Sequence, residues 1–126
     1  MNSLKNKKEF DLVYKKGTRR YSKYFTLYFL GLDSRSPLLQ NRENEDDFLL
    51  GLSVSKKVGK ATKRNLIKRR VRSLCREHQE IFKNHAMVFV AKNGIIEIPY
   101  KVFQQDFLTS VKGLFSSIPS VYGSKS

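Results

Sequence analysis

An apolar stripe with helical spacing lies near the start of the chain. Its members recur at intervals of three and four residues: Phe10, Val13 and Tyr14. Asn6 precedes them at the position of a cap, and Glu9 follows Asn6 at the three-residue spacing of a capping box. Gly17 is placed to end the helix, where a positive φ is often needed. The pattern predicts a first helix over about residues 7 to 16, and on this pattern alone its two aromatic residues would belong to the core.

Two aromatic and β-branched segments, at residues 24–32 and 48–55, have the composition of strands. The first is apolar or aromatic on both faces, so each face needs cover from helices or from a ligand. The second has large apolar side chains on one face, whereas the other face ends in Gly51, Ser53 and Ser55. A helix or a nucleic-acid backbone could approach the sheet closely over those small residues.

The most strongly amphipathic segment runs from Ala61 to about Lys83, after a basic turn at residues 56–60. On a helical wheel with Arg64 at 0°, its core positions fall between about 280° and about 340°: Ile67, Val71 and Leu74. Polar and cationic positions fall between 0° and about 140°, and we name them the cationic arc: Arg64, Asn65, Lys68, Arg69, Arg72 and Arg76. Arg70 lies between the two sets. The wheel thus predicts one dry face and one cationic face.

The rest of the chain is predicted to add smaller elements. A buried strand at residues 86–92 is followed by an Asn-Gly turn, and the basic connection at residues 18–23 could hold a short strand. Pro99 is placed at the first position of a last helix over about residues 100 to 116. The apolar stripe of that helix is formed by Phe103, Phe107, Val111 and Leu114.

The length and the absence of internal repeats indicate one domain. A chain of 126 residues with 40% apolar residues is large enough to bury a core unaided. We expect a single domain over residues 1–126, with an ordered core over about residues 5–116 and a C-terminal tail over residues 117–126.

The chain is strongly basic. Its 25 Lys and Arg against 11 Asp and Glu give a formal charge of +14, which implies an anionic partner and leaves RNA, DNA and an anionic membrane open. Ten of the cations lie between Lys56 and Arg76, with no acidic residue among them. A merely solvated helix normally carries acids three or four residues from its cations. This stretch therefore indicates a polyphosphate partner, meaning a nucleic acid.

Several other classes of protein are disfavoured. The single cysteine, Cys75, excludes an intrachain disulfide and a zinc site with several cysteines, and it agrees with a reducing cytoplasm. No apolar run follows the basic first residues as it would in a secretory signal. The apolar segments are also too short to span a bilayer. We therefore expect a cytoplasmic protein that makes no membrane contact.

Residues suited to catalysis are scarce. His78 and His85 are the only histidines; His78 falls within the apolar stripe of the long helix, and His85 near its end, where a cation suits the helix dipole. The acidic cluster at Glu43–Asp47 lacks the spacing of an EF-hand, so a solvated loop is the better interpretation. Paired carboxylates of the kind that a metal-dependent nuclease needs are missing from the basic segment. The chain is thus predicted to hold nucleic acid while another component cuts it.

The segment from Arg64 to Arg72, RNLIKRRVR, resembles the RNxxKRxxR signature of the bacterial ribonuclease P protein subunit. The preceding SVSKKVGKA is similar to that family as well, and the segment from Lys7 to Gly17 fits its K-x-x-F-x-x-V-[FY]-K-x-G pattern. The VFVAK strand and the apolar last helix extend the resemblance over about residues 5 to 115. Two features depart from the family pattern: the residues at Thr62 and Lys63, and the length of the acidic loop.

The resemblance implies an α+β fold, a single-domain αβββαβα two-layer sandwich like the second domain of ribosomal protein S5. It also implies a βαβ unit with a left-handed crossover, which the usual right-handed rule would not predict. In that family the protein assists a catalytic RNA, and together they remove the 5′ leader from precursor tRNA. The RNA holds the active-site Mg2+, so no catalytic or metal-binding residue is expected in this chain, and no protein partner is implied.

Two groups of residues acquire roles from the resemblance. Contacts to the catalytic RNA are expected from Lys56, Lys57, Arg64, Asn65, Lys68, Arg69, Arg72 and Arg76. Contacts to the leader of precursor tRNA are expected in a cleft between the first helix and the sheet, from Phe10, Tyr14 and Tyr28. This interpretation changes the three aromatic residues from core residues to a stacking surface, and stacking tolerates any base sequence.

Three alternatives stay open from the sequence. A general RNA-binding or ribosome-associated protein would use the same cationic arc without preferring a tRNA that carries a leader. A DNA-binding protein would place the long helix in a major groove, although the β-rich chain before it does not have a helix-turn-helix layout. A stand-alone nuclease would cleave precursor tRNA without any RNA subunit.

Overall fold

The computed structural model describes residues 2–33, 35–39 and 48–117, with side chains described as far as Leu114. Its helices are α1 (Lys7–Lys16), α2 (Ala61–Glu77), α3 (Gln79–Phe82) and α4 (Tyr100–Ser117). Its strands are β1 (Asn2–Ser3), β2 (Thr18–Tyr21), β3 (Phe25–Gly31), β4 (Leu49–Ser53) and β5 (His85–Ala91). The predicted acidic loop at Glu43–Asp47 and the tail beyond Ser117 lie outside the described residues.

The five strands form one mixed sheet in the order β1-β4-β5-β3-β2. At its centre, Val88 of β5 lies opposite Gly51 of the parallel strand β4 and opposite Tyr28 of the antiparallel strand β3. β2 pairs antiparallel with β3 and forms one edge. The mixed sheet with its helices confirms the predicted α+β sandwich. β4, α2 and β5 make the predicted parallel βαβ unit, and the hand of its crossover stays a prediction.

Alternation along β3 sends its side chains into cores on opposite faces of the sheet. Phe25, Leu27 and Phe29 enter the larger core beneath α2 and α4, where they are at most 2% exposed. Tyr28 and Leu30 point to the smaller core beneath α1, where they are half-buried. Both faces of this strand are therefore covered, as its composition predicts.

The first helix begins and ends at the predicted residues, but Gly17 acts differently from the prediction. Asn6 Oδ1 accepts a hydrogen bond from the backbone N–H of Glu9 at 3.0 Å, which caps α1. Gly17 has φ −78°, so no left-handed conformation is needed. A Cβ at this position would lie 2.6 Å from the carbonyl oxygen of Val13 and 3.0 Å from that of Phe29. Glycine is required there because two backbones approach each other closely.

The predicted helix from Ala61 to Lys83 is wrong in its last turns. α2 ends at Glu77, and His78 has φ −123° and ψ 37° before the short α3. The break turns the chain so that Phe82 enters the larger core. Its ring stacks at 4.7 Å on Phe48 and at 5.8 Å on Phe29, measured between ring centroids. Aromatic packing has therefore overridden the helical periodicity.

Two further predictions need correction at the ends of elements. His85 is the first residue of β5, and its ring packs edge-on against Phe29 at 5.1 Å instead of lying at a helix end. Pro99 precedes α4 and accepts a hydrogen bond from the N–H of Phe103 at 3.1 Å, so it caps the helix rather than occupying its first position. The apolar stripe predicted for this helix is buried as expected.

Candidate nucleic-acid interface

The cationic arc stands on a helix that is anchored at its start by its own first arginine. After β4, a 3-10 turn at Lys56–Val58 and Gly59 lead into α2. Arg64 is half-buried, and its Nε–H donates to the carbonyl oxygen of Gly59 at 3.0 Å. Arg64 therefore holds the turn against the helix, in addition to any contact with a ligand.

The dry and cationic faces of α2 are oriented as the wheel predicts. Ile67, Val71 and Leu74 are at most 5% exposed and pack onto the sheet. The remaining members of the arc are exposed or half-buried and point away from this core: Asn65, Lys68, Arg69, Arg72 and Arg76. Lys56 and Lys57 are exposed in the turn that precedes them. The arc therefore presents its nitrogen atoms to solvent, where phosphates could reach them.

The start of α2 is electrostatically suited to an anion. Lys60 occupies the N-cap position without a side-chain cap, and the first turn contains no acidic residue. Among the described residues, no carboxylate pairs with a cation of the arc. The free backbone N–H groups and the positive end of the helix dipole add to this charge. A polyanion would relieve the repulsion between these like charges.

Arg70 serves a different surface from the arc. Its guanidinium carbon lies 4.9 Å from the centroid of the Tyr100 ring. With Lys63, these residues line a cavity of about 170 Å³ between α2 and the start of α4. Arg70 is thus an intramolecular cation–π partner, in agreement with its position between the two faces of the wheel.

The three predicted leader-binding aromatics lie together beneath α1. The ring centroids of Phe10 and Tyr14 are 6.4 Å apart, and those of Tyr14 and Tyr28 are 4.8 Å apart in an edge-to-face arrangement. All three side chains are half-buried. Burial raises the pKa of the Tyr14 hydroxyl above 10.0, and a side-chain hydrogen bond with Ser53 partly offsets that rise. We name this group of Phe10, Tyr14, Tyr28 and Ser53 the aromatic cleft.

Gly51 lets α1 come close enough to the sheet to form the aromatic cleft. A Cβ on Gly51 would lie 2.7 Å from Phe10 Cε2 and 2.8 Å from Leu4 Cδ1. These distances are shorter than carbon atoms can approach, so a larger residue would push the Phe10 ring outwards. The small residues of β4 were predicted to admit a helix or a nucleic-acid backbone, and the structure places the helix α1 over Gly51.

The arc and the cleft lie on opposite faces of the sheet. α2 covers the larger core and α1 the smaller one, so the structure does not merge the two residue groups into a single patch. They are joined through β4, because Ser53 lines the cleft and Lys56 begins the basic turn three residues later. A nucleic acid that contacts both groups would have to pass this end of the sheet.

Sequence reasoning missed one exposed aromatic side chain near the cleft. Tyr21, on the edge strand β2, is 61% exposed, and it contacts Arg19 and Lys92. Its position in the predicted basic connection gave no sign of these neighbours. Only the pairing of β2 with β3 brings it to the face of the sheet that carries Tyr28.

The side chains considered for nucleophilic or metal chemistry are arranged for structure. Cys75 is fully buried, and burial raises the pKa of its thiol to about 12, so it is protonated at neutral pH. The Nδ1 atom of His85 lies 2.8 Å from the carbonyl oxygen of Lys83. Within the described ranges, no group of three or more His, Cys, Asp or Glu side chains could hold a metal ion. None of the described helices has the length and apolar character needed to cross a membrane.

Comparisons with known proteins give consistent results. The sequence model of the family described as ribonuclease P matches residues 1–114. A ribonuclease P protein component of Helicobacter acinonychis is 41% identical over 121 residues, covering 89% of this chain and 79% of that protein. One of Helicobacter hepaticus is 39% identical over 134 residues, covering 99% of this chain and 87% of that protein. The structure of the Staphylococcus aureus RNase P protein superposes with a TM-score of 0.74 at 25% identity, covering 92% of this chain and 95% of that one.

Proposed function

The chain belongs to the ribonuclease P protein family, and we propose that it holds the catalytic RNA with the cationic arc and the tRNA leader with the aromatic cleft. It is a protein subunit of a tRNA-processing endoribonuclease, whose catalysis lies in the RNA. Its partners are accordingly a ribonuclease P RNA and the tRNA substrate. We assign its place of action to the cytoplasm, where bacterial precursor tRNA is made.

The arc would bind RNA mainly through its phosphates. Each phosphate that a Lys or Arg neutralises releases condensed counterions, so affinity falls with salt at a slope of roughly −0.7 per single-stranded contact. Asn65 adds an amide that can both donate and accept hydrogen bonds, which a purely electrostatic contact does not require. The carboxylate-free arc, which faces away from the core, is the single observation that carries this proposal.

Magnesium is assigned to the partner RNA rather than to this chain. No acidic residue lies between Lys56 and Arg76, so this cationic surface would repel a divalent cation. By neutralising phosphates, they would instead lower the repulsion between the RNA subunit and its substrate. Magnesium ions would then bind the RNA complex at lower concentration, without a protein ligand.

The aromatic cleft would bind the single-stranded leader by stacking. Its rings are half-buried, so they are rigidly held while part of each ring stays accessible. Stacking on an aromatic side chain contributes about 1–3 kcal/mol per base and tolerates every base. Such a surface suits a subunit that must accept many leader sequences.

Reconstitution with ribonuclease P RNA tests the arc. We expect the triple variant Lys68→Ala, Arg69→Ala, Arg72→Ala to bind the RNA more weakly, with a salt slope reduced by roughly 2. The triple variant should process precursor tRNA poorly at low magnesium concentration and closer to the wild-type rate at high magnesium concentration. Arg64 is left intact because it also anchors the helix start. The matched control removes three exposed cations outside the arc, Lys8, Lys83 and Lys101; equal losses in both variants would refute the arc assignment.

Binding of precursor and mature tRNA to the reconstituted enzyme tests the cleft. Phe10→Ala should weaken binding of precursor tRNA by about 1–3 kcal/mol per stacked base and leave binding of mature tRNA unchanged. Equal losses for the two RNAs would show that Phe10 is a core residue only.

A further inference from the structure

Tyr21 is the most exposed large aromatic side chain among the described residues, with 61% of its surface accessible. It lies on β2, an edge strand whose four residues are all exposed. No core cluster includes it, although Tyr14 and Tyr28 pack against one. The fold therefore gains little from an aromatic ring at this position.

Two cations, Arg19 of β2 and Lys92 immediately after β5, converge on the Tyr21 ring. Arg19 Cζ lies 4.8 Å from the ring centroid, and Lys92 Nζ lies 5.4 Å from it. Lys92 Nζ also donates a hydrogen bond to the carbonyl oxygen of Ser22 at 2.7 Å, which fixes its position. Distances of this kind are within the range of cation–π attraction.

Sheet register places this group on the same face as the aromatic cleft. Arg19 pairs with Tyr28, and Tyr21 pairs with Thr26 two residues further along β3. Tyr21 and Tyr28 are therefore diagonal neighbours on one face, at a separation of about 7–8 Å. The opposite face of β2 is occupied instead, because the Arg20 guanidinium packs against Gly113 of α4.

We propose that Tyr21, Arg19 and Lys92 form an additional nucleotide-binding position, where one base of the leader stacks just outside the aromatic cleft. The proposal rests on the assignment of the cleft to the leader. The Tyr21 ring offers a stacking surface, the Arg19 guanidinium extends it, and Lys92 places a positive charge beside the phosphate. The leader path thus continues across β3 to the edge strand by one nucleotide.

Leaders that are lengthened in one-nucleotide steps test this position. Affinity of the holoenzyme for each precursor tRNA is measured with the wild type, Tyr21→Ala, Tyr21→Phe and Phe10→Ala. From one particular leader length upwards, we expect Tyr21→Ala to bind precursor tRNA about 5- to 150-fold more weakly than the wild type. For all shorter leaders, the two proteins should bind equally. Tyr21→Phe keeps the ring and should bind like the wild type. The matched control is Val102→Ala, since Val102 is 45% exposed on α4, beneath the other face.

The outcomes separate this inference from the proposed function. If Phe10→Ala loses leader-dependent affinity and Tyr21→Ala does not, the additional position is refuted and the cleft assignment stands. If neither variant loses it, both are refuted. A loss in Tyr21→Ala that is the same without a leader would also refute the additional position. Thermal unfolding of Tyr21→Ala should match the wild type, because the side chain is outside both cores.

Discussion

Two long helices close one face of the sheet, whereas α1 lies over the other face and leaves part of it accessible. On the closed face, Phe25, Leu27 and Phe29 of β3 are at most 2% exposed. On the other face of the same strand, Tyr28 is half-buried, and near it Tyr21 of β2 is largely exposed. One strand therefore supplies core residues in one direction and a candidate ligand surface in the other.

The aromatic rings on the two faces differ in what surrounds them. Phe82 stacks between Phe29 and Phe48 on the closed face, so its ring is already in contact with protein on both sides. Tyr14 and Tyr28 meet edge to face, and both remain partly open to solvent. An aromatic residue is thus a candidate for base stacking only where its neighbours leave part of the ring free.

The largest expected effect is loss of a ring from the closed face. Phe82→Ala should lower the free energy of unfolding by about 3–5 kcal/mol, because it removes a fully buried ring and leaves a cavity. Urea unfolding followed by circular dichroism measures this change. A loss below about 1 kcal/mol would mean that the closed face is far less tightly packed than its ring contacts indicate.

Gly51→Ala would alter the face of the sheet beneath α1, which we call the open face, without removing any ring. The added Cβ would displace the Phe10 ring, so leader-dependent affinity should fall, and stability should fall by about 1–3 kcal/mol as in other overpacked sites. Gly31→Ala is the matched control, since the nearest atom to its Cβ would be 4.0 Å away. If both variants bind precursor tRNA like the wild type, close approach at Gly51 does not shape the cleft.

The pKa of the Cys75 thiol depends on how well the closed face excludes water. The folded thiol has a pKa of about 12 against 9.0 without burial, so the folded state keeps its proton longer than the unfolded state. The thiol's contribution to stability is complete below pH 9 and is lost as the pH rises towards 12. Above pH 9 the wild type should lose about 1.4 kcal/mol per pH unit relative to Cys75→Ala, as measured by urea unfolding. If the free energies of unfolding of the wild type and of Cys75→Ala changed equally with pH, water would reach the thiol.

The smallest effect is expected from Tyr14→Phe on the open face. This change keeps the ring and removes the hydroxyl group that interacts with Ser53, so stability should fall by no more than about 1.5 kcal/mol. Leader affinity should be unchanged, because stacking needs the ring and not the hydroxyl. A loss of leader affinity with unchanged stability would assign the hydroxyl to RNA recognition.

Local periodicity predicted the elements well, and tertiary contacts account for the errors. The wheel of α2 was correct because Ile67, Val71 and Leu74 must share a buried face. The end of that helix was wrong because the position of Phe82 depends on two rings distant in the sequence, Phe29 of β3 and Phe48 just before β4. Gly17 was correctly predicted to end α1, but the predicted reason, a positive φ, was wrong. Glycine is required there because a Cβ would collide with backbone carbonyl groups, including that of Phe29 in β3.

The same distinction holds for the candidate site. The cationic arc could be derived from spacing and from the missing acids, and the aromatic cleft required a family resemblance. Tyr21 could not be found in either way, because its partner Lys92 is 71 positions along the chain and meets it only through sheet pairing. Residues that act through strand register are therefore the ones that a single sequence hides.

The uncapped start of α2 has a practical consequence for handling the isolated subunit. With Lys60 at the N-cap and no acid in the first turn, the free protein keeps like charges and unpaired N–H groups together at the helix end. Any anion that binds there, whether sulfate, phosphate or RNA, favours the folded state by mass action. If phosphate binds there and chloride does not, the melting temperature of this subunit would be higher in phosphate than in chloride.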